Sequence, residues 1–187
     1  MKKHIRRFFI AITVAGALAC APAAPTFQKV DAPGVSNFTR FDGARTFAGT
    51  VAGFGGATQP AAMPGLRREG FVTVINLRFA SEEGADIDGS RAAAEAAGLN
   101  YMHLPFDPAH PDPDVVNRFL ATVNDVANQP VYIHCNSATR VAALWMLGRV
   151  LEDDLEIDAA SKEAEAIALK PADAIAFATQ YLAAAKN

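Results

Sequence analysis

Cysteine is scarce in this chain: its 187 residues contain two, Cys20 and Cys135. Long apolar runs are scarce as well. The uncharged stretch from Phe8 to Ala19 is too short to span a bilayer comfortably, which argues against a transmembrane helix. Because Lys2, Lys3, Arg6 and Arg7 precede it, it has the layout of a signal peptide. Positive charge is lacking in what remains, since removing residues 1–19 takes four cations and no anions and moves the formal net charge from −3 to −7. Such an acidic body argues against nucleic acid or anionic lipid as a general partner, so an anionic substrate has to be drawn in by a local site. About half the residues are apolar and a fifth charged, without internal repeats, as expected of one compact globular domain.

The end of the export segment is compatible with two processing routes. Ala17 and Ala19 suit an ordinary signal peptidase, whereas Ala17-Leu18-Ala19-Cys20 resembles a lipobox in which Cys20 becomes the lipidated first residue, the only membrane contact expected. Either route places the mature protein in the periplasm or cell envelope. Residues 20–36, rich in Ala and Pro, are expected to form a tether, and residues 37–187 the single domain. In that oxidising compartment lone thiols are normally paired or absent. Cys135 has no internal partner once Cys20 is lipidated or removed, so it reads either as a reactive sulfur or as a small buried hydrophobe.

Periodicity predicts short strands at 37–42 and 46–51, with Gly53 to Gly56 as a turn-rich link. A short helix over 60–69, stopped at Gly70, then leads into a buried strand at 71–77. A helix at about 88–97 ends at Gly98, and a strand follows at 100–106. Val115, Val116, Phe119, Leu120 and Val123 recur at helical spacing behind a cap at Asp112 or Asp114. After the strand 131–134 comes a helix over about 139–151 that is apolar nearly all round and therefore buried. Ala-rich helices at 158–168 and 171–184 complete the chain. Strands alternating with helices imply an α/β fold with a mostly parallel sheet and helices on both faces, whose ligands bind at the carboxyl ends of the strands.

One such end carries the chemistry. Strand 131–134 runs into Cys135-Asn136-Ser137-Ala138-Thr139-Arg140 at the start of the buried helix. Backbone N–H groups of 136–140 and the helix dipole favour an anion there. The same field favours a thiolate, so Cys135 is expected to be ionised and nucleophilic. Arg140 supplies a planar fork that can bind two oxygens of a phosphoryl group at once. A cation at this end of a helix is poorly placed unless an anion lies nearby.

The motif His-Cys-x-x-x-x-Arg after Pro-Val-Tyr-Ile resembles the active-site loop of protein-tyrosine-phosphatase-like enzymes. More closely, 71–78 (FVTVINLR), 104–107 (LPFD) and 134–145 (HCNSATRVAALW) are similar to a small bacterial family, the beta-lactamase-hydrolase-like phosphatase domain, over roughly residues 44–155. The resemblance implies a fold of the phosphotyrosine-phosphatase type and a phosphocysteine on Cys135, with no metal or cofactor. Arg140 would be the oxyanion clamp, and residues 136–140 the phosphate cradle. Asp107 is implied as general acid and His134 as the residue that orders the loop. His110, Asp112 and Asp114 are rivals to Asp107, and the last two also serve as helix caps; His103 stands outside any motif. The implied substrates are phosphorylated proteins or small phosphomonoesters, with specificity set by loops 78–87 and 107–112.

Three departures from the commoner tyrosine-phosphatase pattern keep other readings open. Four residues separate Cys135 from Arg140 rather than five, a spacing shared with rhodanese-type sulfurtransferases, in which Cys135 would carry a persulfide. Ala138 stands where relatives have Gly, at a position expected to need positive φ. Val141 replaces a hydroxyl residue that assists the thiolate as leaving group, so slow phosphocysteine breakdown is expected unless Ser137 or Thr139 compensates. The second and third departures also fit a module that binds oxyanions without turnover.

Overall fold

The structure is a computed structural model that describes residues 25–184; the expected signal peptide and Cys20 lie outside the described residues. Its frame is one six-stranded sheet in the order β1-β2-β3-β6-β4-β5. The strands are β1 (Thr26–Lys29), β2 (Thr39–Thr46), β3 (Gly49–Gly55), β4 (Thr73–Asn76), β5 (Asn100–His103) and β6 (Val131–His134). β1, β2 and β3 pair antiparallel. β3 with β6, β6 with β4 and β4 with β5 pair parallel. The helices are α1 (Met63–Arg68), α2 (Ile87–Ala96), α3 (Pro113–Asn124), α4 (Thr139–Glu152), α5 (Ile157–Ile167) and α6 (Pro171–Ala184). The fold is therefore α/β with a mostly parallel sheet.

Successive strand residues point to opposite faces, and each face has its own core. Ile75, Val131 and Ile133 join Val116 and Phe119 of α3, Trp145 of α4, Ala160 and Ala164 of α5, and Ala174 and Ala178 of α6. Val74 and Tyr132 join Met63 and Leu66 of α1 and Ala94 of α2. Burial on both sides explains why β4 and β6 read as continuous apolar runs without polar alternation. Pro113 stands in the first turn of α3, and Asp112 caps that helix by accepting from the Asp114 N–H at 2.9 Å.

The N-terminal part differs from the sequence expectation in two places. Residues 26–29, within the expected tether, form the edge strand β1. Lys29 Nζ fastens it by donating to Thr39 Oγ1 at 2.7 Å and to the carbonyls of Ala166 and Ile167 in α5 at 3.1 and 3.0 Å. The first hairpin also has other bounds: the expected gap at 43–45 belongs to β2, the turn falls at Phe47 and Ala48, where Gly49 with φ 86° reverses the chain, and Gly53–Gly55 of the expected turn-rich link continue β3. Gly53 lies within β3, where a Cβ would sit 2.8 Å from the Tyr132 ring.

Candidate active site

β6 delivers Cys135 to the carboxyl edge of the sheet, and the chain turns through 136–138 into α4. Two backbone hydrogen bonds lock this loop to the end of β3: Cys135 N–H donates to Gly55 O at 3.2 Å, and Ala57 N–H donates to Asn136 O at 2.8 Å. The approach is close enough that a Cβ on Gly56 would lie 2.9 Å from Asn136 O, so the glycine is dictated by the loop it faces. Ala138 takes φ 69°, ψ 0°, the left-handed conformation anticipated for it. Cys135 is a free thiol with no exposed surface. The N–H groups of the first turn of α4 have no intrahelical acceptor and end at this loop. Ser137 Oγ and Thr139 Oγ1 lie 3.0 Å apart at its rim.

Arg140 turns inward, with its side chain 13% exposed. Nη1 donates to Leu77 O at 3.0 Å and to Glu82 Oε1 at 2.7 Å, and Nη2 donates to Glu82 Oε2 at 2.8 Å. A guanidinium has five N–H bonds. With these three engaged, the Nε hydrogen and one Nη2 hydrogen form the side left for an oxyanion. The pairing holds the Glu82 carboxyl down at about 2, through the Arg140 hydrogen bond above all. It raises the Arg140 pKa in turn, with neighbouring Cys135 adding to the effect. Glu82 is itself placed by the Phe79 N–H at 2.8 Å and by Arg78 Nε at 3.3 Å. Arg78, 4% exposed, also donates to the carbonyls of Glu83 and Gly84.

Asp107 follows β5 on the same edge of the sheet. It accepts from the Ala109 N–H at 2.9 Å and faces His110 Nδ1 at 3.1 Å. These contacts, His110 first, lower its pKa, and the Arg140 charge works in the same direction. His134 is buried with both ring nitrogens unpartnered, and burial pushes its pKa down to about 3 although backbone groups of Cys135 and Gly56 oppose this. Burial thus favours the neutral imidazole beside the Cys135 loop. His103 Nε2 pairs with the Arg78 carbonyl at 2.7 Å and thus steadies the 78–84 loop. Asp112 and Asp114 belong to the start of α3.

Residues 49–152 match the family model described as beta-lactamase hydrolase-like protein, phosphatase-like domain. The chain belongs to this family. A beta-lactamase hydrolase-like protein of Agrobacterium fabrum (strain C58) is 32% identical over 105 residues, which cover 54% of this chain and 24% of the relative. The chain therefore spans about a quarter of that curated relative. TpbA of P. aeruginosa superposes with a TM-score of 0.61 at 20% identity, covering 82% of this chain and 89% of TpbA. The catalytic core of the PP-IP phosphatase SIW14 of S. cerevisiae gives 0.53 at 16% identity, covering 74% and 77%. At these identities the structural matches speak for the fold, which is of the protein-tyrosine-phosphatase type.

Within this phosphatase-like domain the loop 135–140 lies where the sequence placed it, with Arg140 directed inward and Asp107 in range of its charge. Glu82 is the residue that sequence reasoning missed. The sequence marks loop 78–87 as a region of specificity, and 58 positions separate the two partners. An arginine at 78, directly after an apolar strand, is the available signal that this loop folds inward on carbonyls and a carboxylate.

Proposed function

We propose that this domain is a cysteine-dependent phosphatase of the cell envelope, hydrolysing phosphotyrosine-like or small phosphomonoesters. The observation that carries the reading is the inward Arg140, fixed by Glu82 and Leu77 beside Cys135 at the start of α4. The Cys135 thiolate attacks phosphorus, the P–O bond to the leaving group breaks, and Asp107 protonates the departing oxygen. Water then attacks phosphorus, Asp107 takes its proton, and the P–S bond breaks to release phosphate and restore the thiolate. The two free N–H groups of Arg140 and the backbone N–H groups of 136–140 hold the equatorial oxygens throughout. His134 supports the loop as a neutral group. A Cys-to-Ser variant of TpbA has been solved in complex with pTyr, which supports a phosphorylated substrate here by analogy of fold.

The test is hydrolysis of an aryl phosphate with a thiol reductant present. Activity should disappear in Cys135→Ser and fall at least a hundredfold in Arg140→Ala; turnover that survives Cys135→Ser would overturn the mechanism. Dependence on reductant follows from a thiolate in an oxidising compartment. The four-residue spacing favours one rival, sulfur transfer through a Cys135 persulfide. Thiocyanate formed from thiosulfate and cyanide, without phosphate release from any ester, would select it.

A further inference from the structure

Tyr132 is a fully buried phenol that the mechanism above does not use. It stands between two aliphatic residues in β6, and its ring is fixed by aromatic neighbours. Phe38 meets it edge-on with centroids 5.4 Å apart, Phe71 is tilted against it at 5.6 Å, and His134 stacks on it at 5.9 Å. Gly55 leaves room for its hydroxyl, since a Cβ there would fall on Tyr132 Oη. A phenol hydroxyl inside an apolar core needs a hydrogen-bond partner. Tyr132 Oη has one in Thr58 Oγ1 at 2.8 Å, and Thr58 Oγ1 donates onward to Gly56 O at 3.1 Å. Because the threonine has a single O–H and spends it on that carbonyl, the phenol is the donor between the two hydroxyls.

The Gly56–Ala57 segment held in this way is the one that touches the cradle. On one side Gly56 N–H donates to Ser36 O at 2.7 Å and Ser36 N–H donates to Ala57 O at 2.9 Å; on the other, Ala57 N–H donates to Asn136 O at 2.8 Å. The C=O and N–H of a trans peptide point in opposite directions. Drawing the Asn136 carbonyl toward Ala57 therefore turns the Ser137 N–H of the same peptide away from β3 and toward the hollow of the loop. That N–H has no acceptor among the described residues. We propose that Tyr132 is a positioning residue for oxyanion binding: its hydroxyl, through Thr58 and the Gly56–Ala57 segment, fixes the plane of the 136–137 peptide and so aims the Ser137 N–H at the bound anion. The proposal rests on the reading of residues 136–140 as an oxyanion cradle, and it adds a brace that lies outside the motif from Cys135 to Arg140.

Tyr132→Phe removes the hydroxyl and keeps the ring, and Thr58→Val removes the next link while keeping its shape. Inorganic phosphate titrated onto the reduced protein, followed by calorimetry and by amide resonances, tests both without any turnover. Each variant should raise the Kd for phosphate about tenfold, and the double variant should lose no more than either single one, because both cut the same chain. The phosphate-induced shift of the Ser137 amide should shrink in both, while that of the Arg140 amide persists. Glu163→Ala, which weakens the fold at the far end of α4, should leave affinity and both shifts as in wild type. Unchanged affinity and an unchanged Ser137 shift in Tyr132→Phe and Thr58→Val would overturn the brace and leave the cradle standing. Additive losses, or a loss that Glu163→Ala reproduces, would trace the effect to general destabilisation and overturn it as well. A wild-type protein that binds no phosphate would refute the cradle itself, and the brace with it.

Discussion

Glu82 satisfies Arg140 on one side and leaves the other side free, so its carboxylate sets the direction in which the guanidinium points. Glu82→Gln keeps the size but loses the charge, and hydrogen bonds to charged groups contribute about 1.5–3 kcal/mol. We expect kcat/KM for any phosphomonoester to fall about tenfold to a hundredfold, with weaker inhibition by inorganic phosphate; steady-state kinetics would show both. Asp107 makes a different prediction. Its contacts with His110 and Ala109 favour the anion and lower its pKa, yet a general acid must be protonated when the leaving group departs. Turnover of alkyl phosphates should therefore decline as pH rises through and beyond the carboxylate range. Asp107→Asn should reduce kcat for those esters by about 10²–10⁴ and abolish that limb, while 4-nitrophenyl phosphate, whose leaving group needs no proton, changes little. Identical losses for both esters would assign Asp107 to loop structure instead.

α4 carries the Cys135 loop at one end and a buried ion network at the other. Glu163 of α5 accepts from Trp145 Nε1 at 2.7 Å and from Arg149 Nε and Nη2 at 2.9 and 3.1 Å. Arg149 Nη1 also donates to Asp153, whose carboxylate receives the Phe47 N–H of the β2–β3 turn. Removing Glu163 leaves the indole N–H without an acceptor and the Arg149 charge with Asp153 alone, a loss of at most about 3–5 kcal/mol. Glu163→Ala should lower the urea midpoint accordingly while kcat of the remaining folded enzyme stays close to wild type. Elements of this kind were legible in the sequence when a run was long or buried on both faces: β4, β6, α3, α4 and α6 follow from apolar spacing and from Pro or Asp at their starts. The extent of the first hairpin was not, because three glycines in Gly53–Gly56 mimic a turn-rich link and cut β3 short, when their actual cause is contact with Tyr132 and the Cys135 loop. β1 was hidden for another reason, since an edge strand with one anchoring lysine has no apolar pattern to announce it. The anion site itself was readable because Cys135 and Arg140 are neighbours in the chain, whereas Glu82 joins them only after folding.

The same groups decide how the molecule meets acid. His134 folds as a neutral imidazole with a pKa of about 3 against an ordinary 6.5. Between those values the unfolded chain binds a proton that the folded chain refuses, so stability is full above pH 6.5 and falls on acidification, by up to about 1.4 kcal/mol per pH unit. Glu82, lowered from 4.5 to about 2, contributes stability above pH 4.5 that is lost as pH falls through 2; being one-quarter exposed, it contributes less than its shift implies. Urea unfolding at pH 7, 6 and 5 should show a progressive loss that His134→Gln flattens. On the phosphatase reading, a need for protonated Asp107 favours acid while the fold weakens in acid, so the two pull the pH optimum in opposite directions.

β1 adds a mechanical constraint. Its first residue is Thr26, and Lys29 ties the strand to α5. With a lipid on Cys20, six peptide steps bridge the bilayer surface and the folded body, a leash of at most about 20 Å at full extension. A lipoprotein processed at Cys20 would on that reading meet only substrate close to its membrane.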